Sequence, residues 1–140
     1  KFYLIIFLNS KIKEGLIDID NTKFYWKDYA KFEILDSLIH VKNSELVLDG
    51  KLEIIIKNSQ EIYKTLLTPK NYRNEIEKIE LNFNYNFDQK ILKLNDIRVD
   101  NVINKNVGNI LKNLIVRSDK LQNKIYFKNM VNKAIKSYAG

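Results

Sequence analysis

From Ile79 to Phe87, apolar and polar side chains alternate without a break: Ile79, Leu81, Phe83, Tyr85 and Phe87 against Glu80, Asn82, Asn84 and Asn86. Successive side chains of a β-strand point to opposite faces, so this run predicts a strand with one apolar and one polar face. Asp88-Gln89 then predicts a tight turn, and residues 90–99 a partner strand carrying Leu92, Leu94, Ile97 and Val99. Its alternation slips at Asn95-Asp96, which predicts a β-bulge. A two-faced strand of this kind needs a sheet whose apolar side is covered or lines a groove.

The same pattern recurs upstream. Gly15–Asp20 and Lys23–Lys27 predict two short strands around Asn21-Thr22, and Phe32–Val41 a longer one ending at Lys42-Asn43-Ser44. Leu46-Val47-Leu48-Asp49-Gly50-Lys51-Leu52 predicts a hairpin turning at Asp49-Gly50, since Asp-Gly suits the positive φ of a two-residue turn. Its return strand would put Leu52, Ile54 and Ile56 on one face. The apolar run Phe2–Leu8 is far shorter than the roughly 20 residues of a membrane-spanning helix and reads as a buried strand.

One helix, about 59–68, interrupts the strands. Ser59 is its expected cap, Ile62, Tyr63, Leu66 and Leu67 repeat at i, i+4, and Pro69 ends it. Beyond residue 101 the period becomes helical. Ile103, Val107, Ile110, Leu111, Leu114 and Ile115 form one stripe; Phe127, Met130, Val131, Ala134, Ile135 and Tyr138 form another. Ser118 or Asp119 would cap between them. The expected fold is α+β: an antiparallel, twisted sheet of amphipathic strands of the β-groove type, with one inserted helix and two C-terminal helices. Residues 1–101 would form the sheet region, and 102–140 a basic helical segment packing on or capping it.

Charge divides along the same boundary. The net charge is +7, yet residues 1–101 hold 16 basic and 16 acidic side chains. The excess sits in 102–140, with Lys105, Lys112, Arg117, Lys120, Lys124, Lys128, Lys133 and Lys136 against Asp119 alone. Lys105, Lys112, Lys120, Lys124, Lys128, Lys133 and Lys136 are therefore candidate contacts to an anionic surface, of lipid or of nucleic acid. Heavy use of Lys, Ile and Asn also fits an AT-rich genome, which supplies lysines without functional selection.

Catalytic and metal-binding chemistry finds no purchase in the sequence. There is no cysteine, and the single His40 lacks a second ligand at metal-binding spacing. Asp18 and Asp20, two residues apart, read as the polar side of a strand. Phe24, Tyr25, Trp26 and Tyr29 stand beside Lys23, Lys27 and Lys31, and read as a strand with Phe24 and Trp26 inward and Tyr25 outward. The four glycines are too dispersed to cradle a phosphate. The chain is expected to be non-catalytic and without cofactor. It opens on Lys1 rather than Met and is read as a fragment or a processed product of a longer chain.

Several stretches together carry a family resemblance: Gly15–Phe24, Glu45–Leu52, Tyr63–Tyr72 with Leu66-Leu67-Thr68-Pro69-Lys70, Asn82–Asp100 with Tyr85-Asn86-Phe87-Asp88, and Asn129–Gly140 ending in Ser137-Tyr138-Ala139-Gly140. This pattern resembles the C-terminal region of AsmA-like bacterial envelope proteins, relatives of TamB. The resemblance implies a periplasmic location in an inner-membrane-anchored protein whose anchor lies outside these residues. It also implies a part in outer-membrane biogenesis and phospholipid transport, with phospholipid acyl chains and envelope assembly proteins as partners, and nucleic acid as the lesser expectation. It supplies no catalytic residues. Ile54, Ile56, Leu81, Phe83, Tyr85, Phe87, Leu92 and Leu94 would face acyl chains or capping helices. The rivals are a module binding anionic surfaces or nucleic acid through the basic helices, and a plain protein-interaction domain.

Overall fold

The computed structural model describes residues 4–7, 10–13, 16–112 and 116–140; the side chains of 4–7, 12–13, 112, 116 and 118 are outside that description. The chain is α+β, an open antiparallel sheet with one inserted helix and helices at the C-terminal side. The strands are β1 (Leu4–Phe7), β2 (Lys11–Lys13), β3 (Leu16–Asp18), β4 (Lys23–Trp26), β5 (Ala30–Lys42), β6 (Glu45–Ile56), β7 (Lys78–Asn86), β8 (Ile91–Val99), β9 (Val102–Ile103) and β10 (Val116–Arg117). The main path of the sheet runs β1-β4-β5-β6-β7-β8-β10; β3 joins β2 to β5, and β9 pairs with β8. The helices are α1 (Ser59–Leu66), α2 (Lys105–Lys112), the short α3 (Ser118–Leu121) and α4 (Lys124–Ala139).

β5 and β6 turn on Asn43-Ser44, both at positive φ (50° and 65°), as a two-residue hairpin loop requires. Asp49-Gly50 is not a turn. β6 runs through it unbroken, paired on both sides: Asp49 with Leu38 and Asn84, Gly50 with Phe83. Turn propensity loses here to the pairing of two long neighbours, and Gly50 serves a packing need instead. A Cβ at Gly50 would lie 2.8 Å from Cζ of Phe83, whose ring covers the glycine. The bulge expected at Asn95-Asp96 is present: the β7–β8 register shifts there, with Asp96 at φ 50°. A second bulge lies between Leu35 and Leu38, with Asp36 at φ 47°.

The cap of α1 is Asn58 rather than Ser59, because the Asn58 side chain accepts from the Glu61 amide at 3.2 Å. Likewise neither Ser118 nor Asp119 caps α4. Asn123 does, accepting from the Ile125 and Tyr126 amides. Ile103 is not helical; it belongs to β9, paired with Arg98. Leu114 and Ile115, expected on the first helical stripe, lie outside the described residues, as do Phe2, Tyr3 and Leu8 of the N-terminal run.

Cross-strand partners share a face, so the register sorts the sheet. One face carries Trp26, Ala30, Phe32, Ile54, Ile56, Leu52, Ile79, Leu81, Phe83 and Leu94 in neighbouring rows. α1 and α4 pack over its first half, where Ala30, Ile62 and Leu66 are buried beneath Val131 and Ile135. α2 and the end of α4 cover the second half, around buried Leu81, Ile97 and Val107 with Ala134 and Tyr138. The helical stripe Val131, Ala134, Ile135, Tyr138 thus bridges both clusters.

Candidate functional site

By register Ile54, Ile56, Leu81, Phe83, Tyr85, Leu92 and Leu94 lie on one face, and Phe87 follows just past β7, but these residues do not share one environment. Ile54 and Ile56 pack beneath α4 in the first cluster. Leu81 is 7% exposed, and Phe83 and Leu94 pack around it in the second. Tyr85, Phe87 and Leu92 lie beyond that packing. Tyr85 pairs with Leu48 on one side and Leu92 on the other. Phe87 meets Tyr85 edge-on, ring centroids 5.0 Å apart, and is 38% exposed. The row continues across the sheet through Leu46, paired with Val41, and Leu48, paired with Ile39, which in turn pairs with Ile17. Leu46, Val41 and Ile17 are exposed. The apolar face is therefore helix-covered at one end, and at the other it carries exposed Leu46, Val41, Ile17 and Phe87 around half-buried Tyr85 and Leu92 and a buried Leu48.

The opposite face carries a ladder of opposite charges together with Leu38, Val47 and Ile55, of which Val47 is buried. Glu33 meets Lys31 at 2.5 Å and Lys23 at 3.8 Å. Glu80 meets Lys51 at 3.0 Å and Lys78 at 3.3 Å, and Lys78 also reaches Glu53 at 2.9 Å. Hydrogen bonding from Lys51 is the main cause that holds the Glu80 carboxyl below its ordinary value, with Lys78 adding to it against the opposing effect of burial. Further along, Asp49 receives Asn84 at 2.7 Å and faces His40 Nε2 at 2.6 Å. Burial pushes the Asp49 carboxyl up; bonds from Asn84 and His40 outweigh it, and the net direction is down. His40 is thus engaged by a carboxylate on its own sheet face.

Asp18 and Asp20 do not form a matched pair. Asp20 lies past the end of β3 and its Oδ1 accepts from both the amide and the hydroxyl of Ser37, each at 2.6 Å. Ser37 sits in the β5 bulge, so Asp20 holds that irregularity in place. Phe24 and Trp26 share the helix-covered face, while Tyr25 lies on the other, where Lys57 Nζ stands 5.9 Å from its ring. Among the described residues, no group of three or more His, Asp or Glu is placed to hold a metal ion. No described helix is long and apolar enough to cross a membrane.

The basic residues of 102–140 do not line up as one stripe. Lys124 and Lys128, one turn apart on α4, border a groove of about 420 Å³ whose other walls are Trp26, Thr65, Leu66, Leu121 and Phe127. Lys133 and Lys136 emerge on another side, beside Leu67, Pro69, Asn129 and Asn132. Lys136 Nζ stands 5.6 Å from the Tyr72 ring. Lys105 and Lys120 are exposed on α2 and α3, and the Lys112 side chain lies outside the described ones. The groove escapes sequence reasoning because its walls come from β4, α1, α3 and α4, which no local pattern brings together.

Compared with models of known families, with characterised proteins and with solved structures, this chain matches none.

Proposed function

We propose that this chain is a non-catalytic segment of the kind found in the C-terminal region of AsmA-like envelope proteins, working in phospholipid transport across the periplasm. In that role its sheet is part of a β-groove. The observation that carries the reading is the apolar face that runs out from beneath the helices into the strip Ile17, Leu46, Tyr85, Phe87 and Leu92. Here α1, α2 and α4 close one end, so the segment acts as a cap, while the strip at the other end meets acyl chains. The resemblance in sequence pattern supports the same role.

The test is mass spectrometry of organic extracts of the chain purified from a bacterial host envelope, beside a Tyr85→Asp/Phe87→Asp variant. Phospholipid carried by the parent and lost by a variant that melts like it supports the reading. Equal lipid in both, or none in a folded parent, overturns it.

A further inference from the structure

Two stretches of the chain hold no acidic residue: 62–74, with Lys64, Lys70 and Arg73, and 120–140, with five lysines. The fold brings them together. Thr68 donates to Asn132 Oδ1 at 2.6 Å, and Lys136 Nζ stands 5.6 Å from the Tyr72 ring. Lys133 and Lys136 share a depression of about 280 Å³ with Leu67 and Pro69, from the turn that follows α1. Lys70 opens the single 3-10 turn just after it. Lys64 is balanced by Glu61 at 2.5 Å. Among the described residues, Lys70, Arg73, Lys133 and Lys136 enter no ion pair. Lys70, Lys133 and Lys136 are exposed.

Beside these cations stands an aliphatic side chain in water. Leu67 is 74% exposed and held at φ 59° and ψ 36°, where glycine is the usual residue. It gains little packing inside the chain for that strain, and strained residues cluster where something outside the fold uses them. Charge and leucine together fit one kind of partner. The hydrocarbon of a bilayer takes the leucine, and anionic headgroups take the cations. A nucleic-acid backbone matches the charge but leaves the leucine in water. We propose that the turn Leu67–Lys70, with Lys133 and Lys136, is a docking surface for an anionic phospholipid bilayer. Leu67 enters the boundary of the acyl region, and the cations lie at the phosphates. This surface shares no residue with the strip at Tyr85 and Phe87, so the two stand or fall separately.

The experiment sediments the full chain with vesicles of phosphatidylglycerol and phosphatidylcholine in equal parts, and with vesicles of phosphatidylcholine alone, at low and high salt. The expected result is binding to the anionic vesicles about tenfold or more tighter, and weakening as salt rises. Lys133→Gln/Lys136→Gln should lower that binding about tenfold or more. Leu67→Gly, which should fold more stably than the parent, should lower it about fivefold or more. A Tyr85→Asp/Phe87→Asp variant should still bind the anionic vesicles. The proposal is overturned by equal binding to the two vesicle types, by a Leu67→Gly variant that binds as the parent does, or by loss of binding in the Tyr85/Phe87 variant. Tighter binding to a single-stranded RNA oligonucleotide than to anionic vesicles would assign the cations to nucleic acid and overturn it too. The comparison of the two vesicle types needs no substitution and decides the matter even where a variant fails to fold.

Discussion

The ring of Phe83 lies across Gly50 on the neighbouring strand, so close that a Cβ on the glycine would sit 2.8 Å from Cζ and 2.9 Å from Cε1. The space that a side chain would fill in β6 is filled by the ring from β7. Gly50→Ala must push the ring from its place against Leu81, at an expected cost of about 1–3 kcal/mol. In a Phe83→Leu background the same change should cost clearly less, because the shorter side chain does not cover the glycine. Urea unfolding of the four proteins of this cycle measures the coupling. Additive effects would show that the contact carries no energy.

Thr68 and Asn132 pin α4 to the end of α1. Thr68, 1% exposed, donates its hydroxyl to Asn132 Oδ1 at 2.6 Å, and Asn132 Nδ2 donates to the Leu66 carbonyl at 2.8 Å. Thr68→Val keeps the shape and removes the donor, leaving the amide oxygen of Asn132 without its bond in a partly buried place. The expected loss is about 1–3 kcal/mol by denaturant unfolding. A loss near zero would mean that water replaces the hydroxyl.

Leu67 ends α1 in the left-handed region, φ 59° and ψ 36°, with its amide bonded back to Lys64 and the Thr68 amide to Tyr63. A leucine strains there, and its side chain is 74% exposed, so it returns little. Leu67→Gly should stabilise the chain by about 1 kcal/mol, seen as a higher thermal midpoint. Destabilisation would mean that Leu67 makes contacts stronger than its exposure indicates.

Glu80 lies between Lys51 and Lys78 with its side chain 13% exposed, and its carboxyl is held below the ordinary value of 4.5. A carboxyl with a depressed folded value contributes stability above its unfolded value and loses it as pH falls through the folded one. Glu80→Gln should therefore cost stability at pH 7, by less than about 1 kcal/mol for so small a network. The difference from the parent should shrink and vanish as pH falls from 4.5 through the lowered folded value. A difference independent of pH would assign the effect to packing.

The sheet was legible where side chains alternate. Ile79 to Phe87 showed both faces, and Asn95-Asp96 showed the bulge, because each is a local property of one strand. The helical stripe Val131, Ala134, Ile135, Tyr138 was legible for the same reason. Asp49-Gly50 misled, since a glycine needed for close approach and one needed for a turn look alike until the partner strand is known. Asn58 and Asn123 cap where Ser59 and Ser118 or Asp119 were expected, because these residues share the same short polar chemistry and local sequence does not rank them. Of the candidate site, the apolar face could be read, but not where the helices stop: that depends on packing between residues far apart in the chain. The Trp26 groove was out of reach for the same reason.

The proposed role requires the apolar face to be closed beneath the helices and open to lipid at Phe87. A photoreactive phenylalanine analogue placed singly at Phe87, Asn84 or Ile54, then irradiated with vesicles of bacterial phospholipid, reads this directly. The account predicts a phospholipid adduct at position 87 and none at 84, on the polar face, or at 54, under α4. Equal labelling at 84 and 87, or no adduct at 87 in a folded protein, would contradict it.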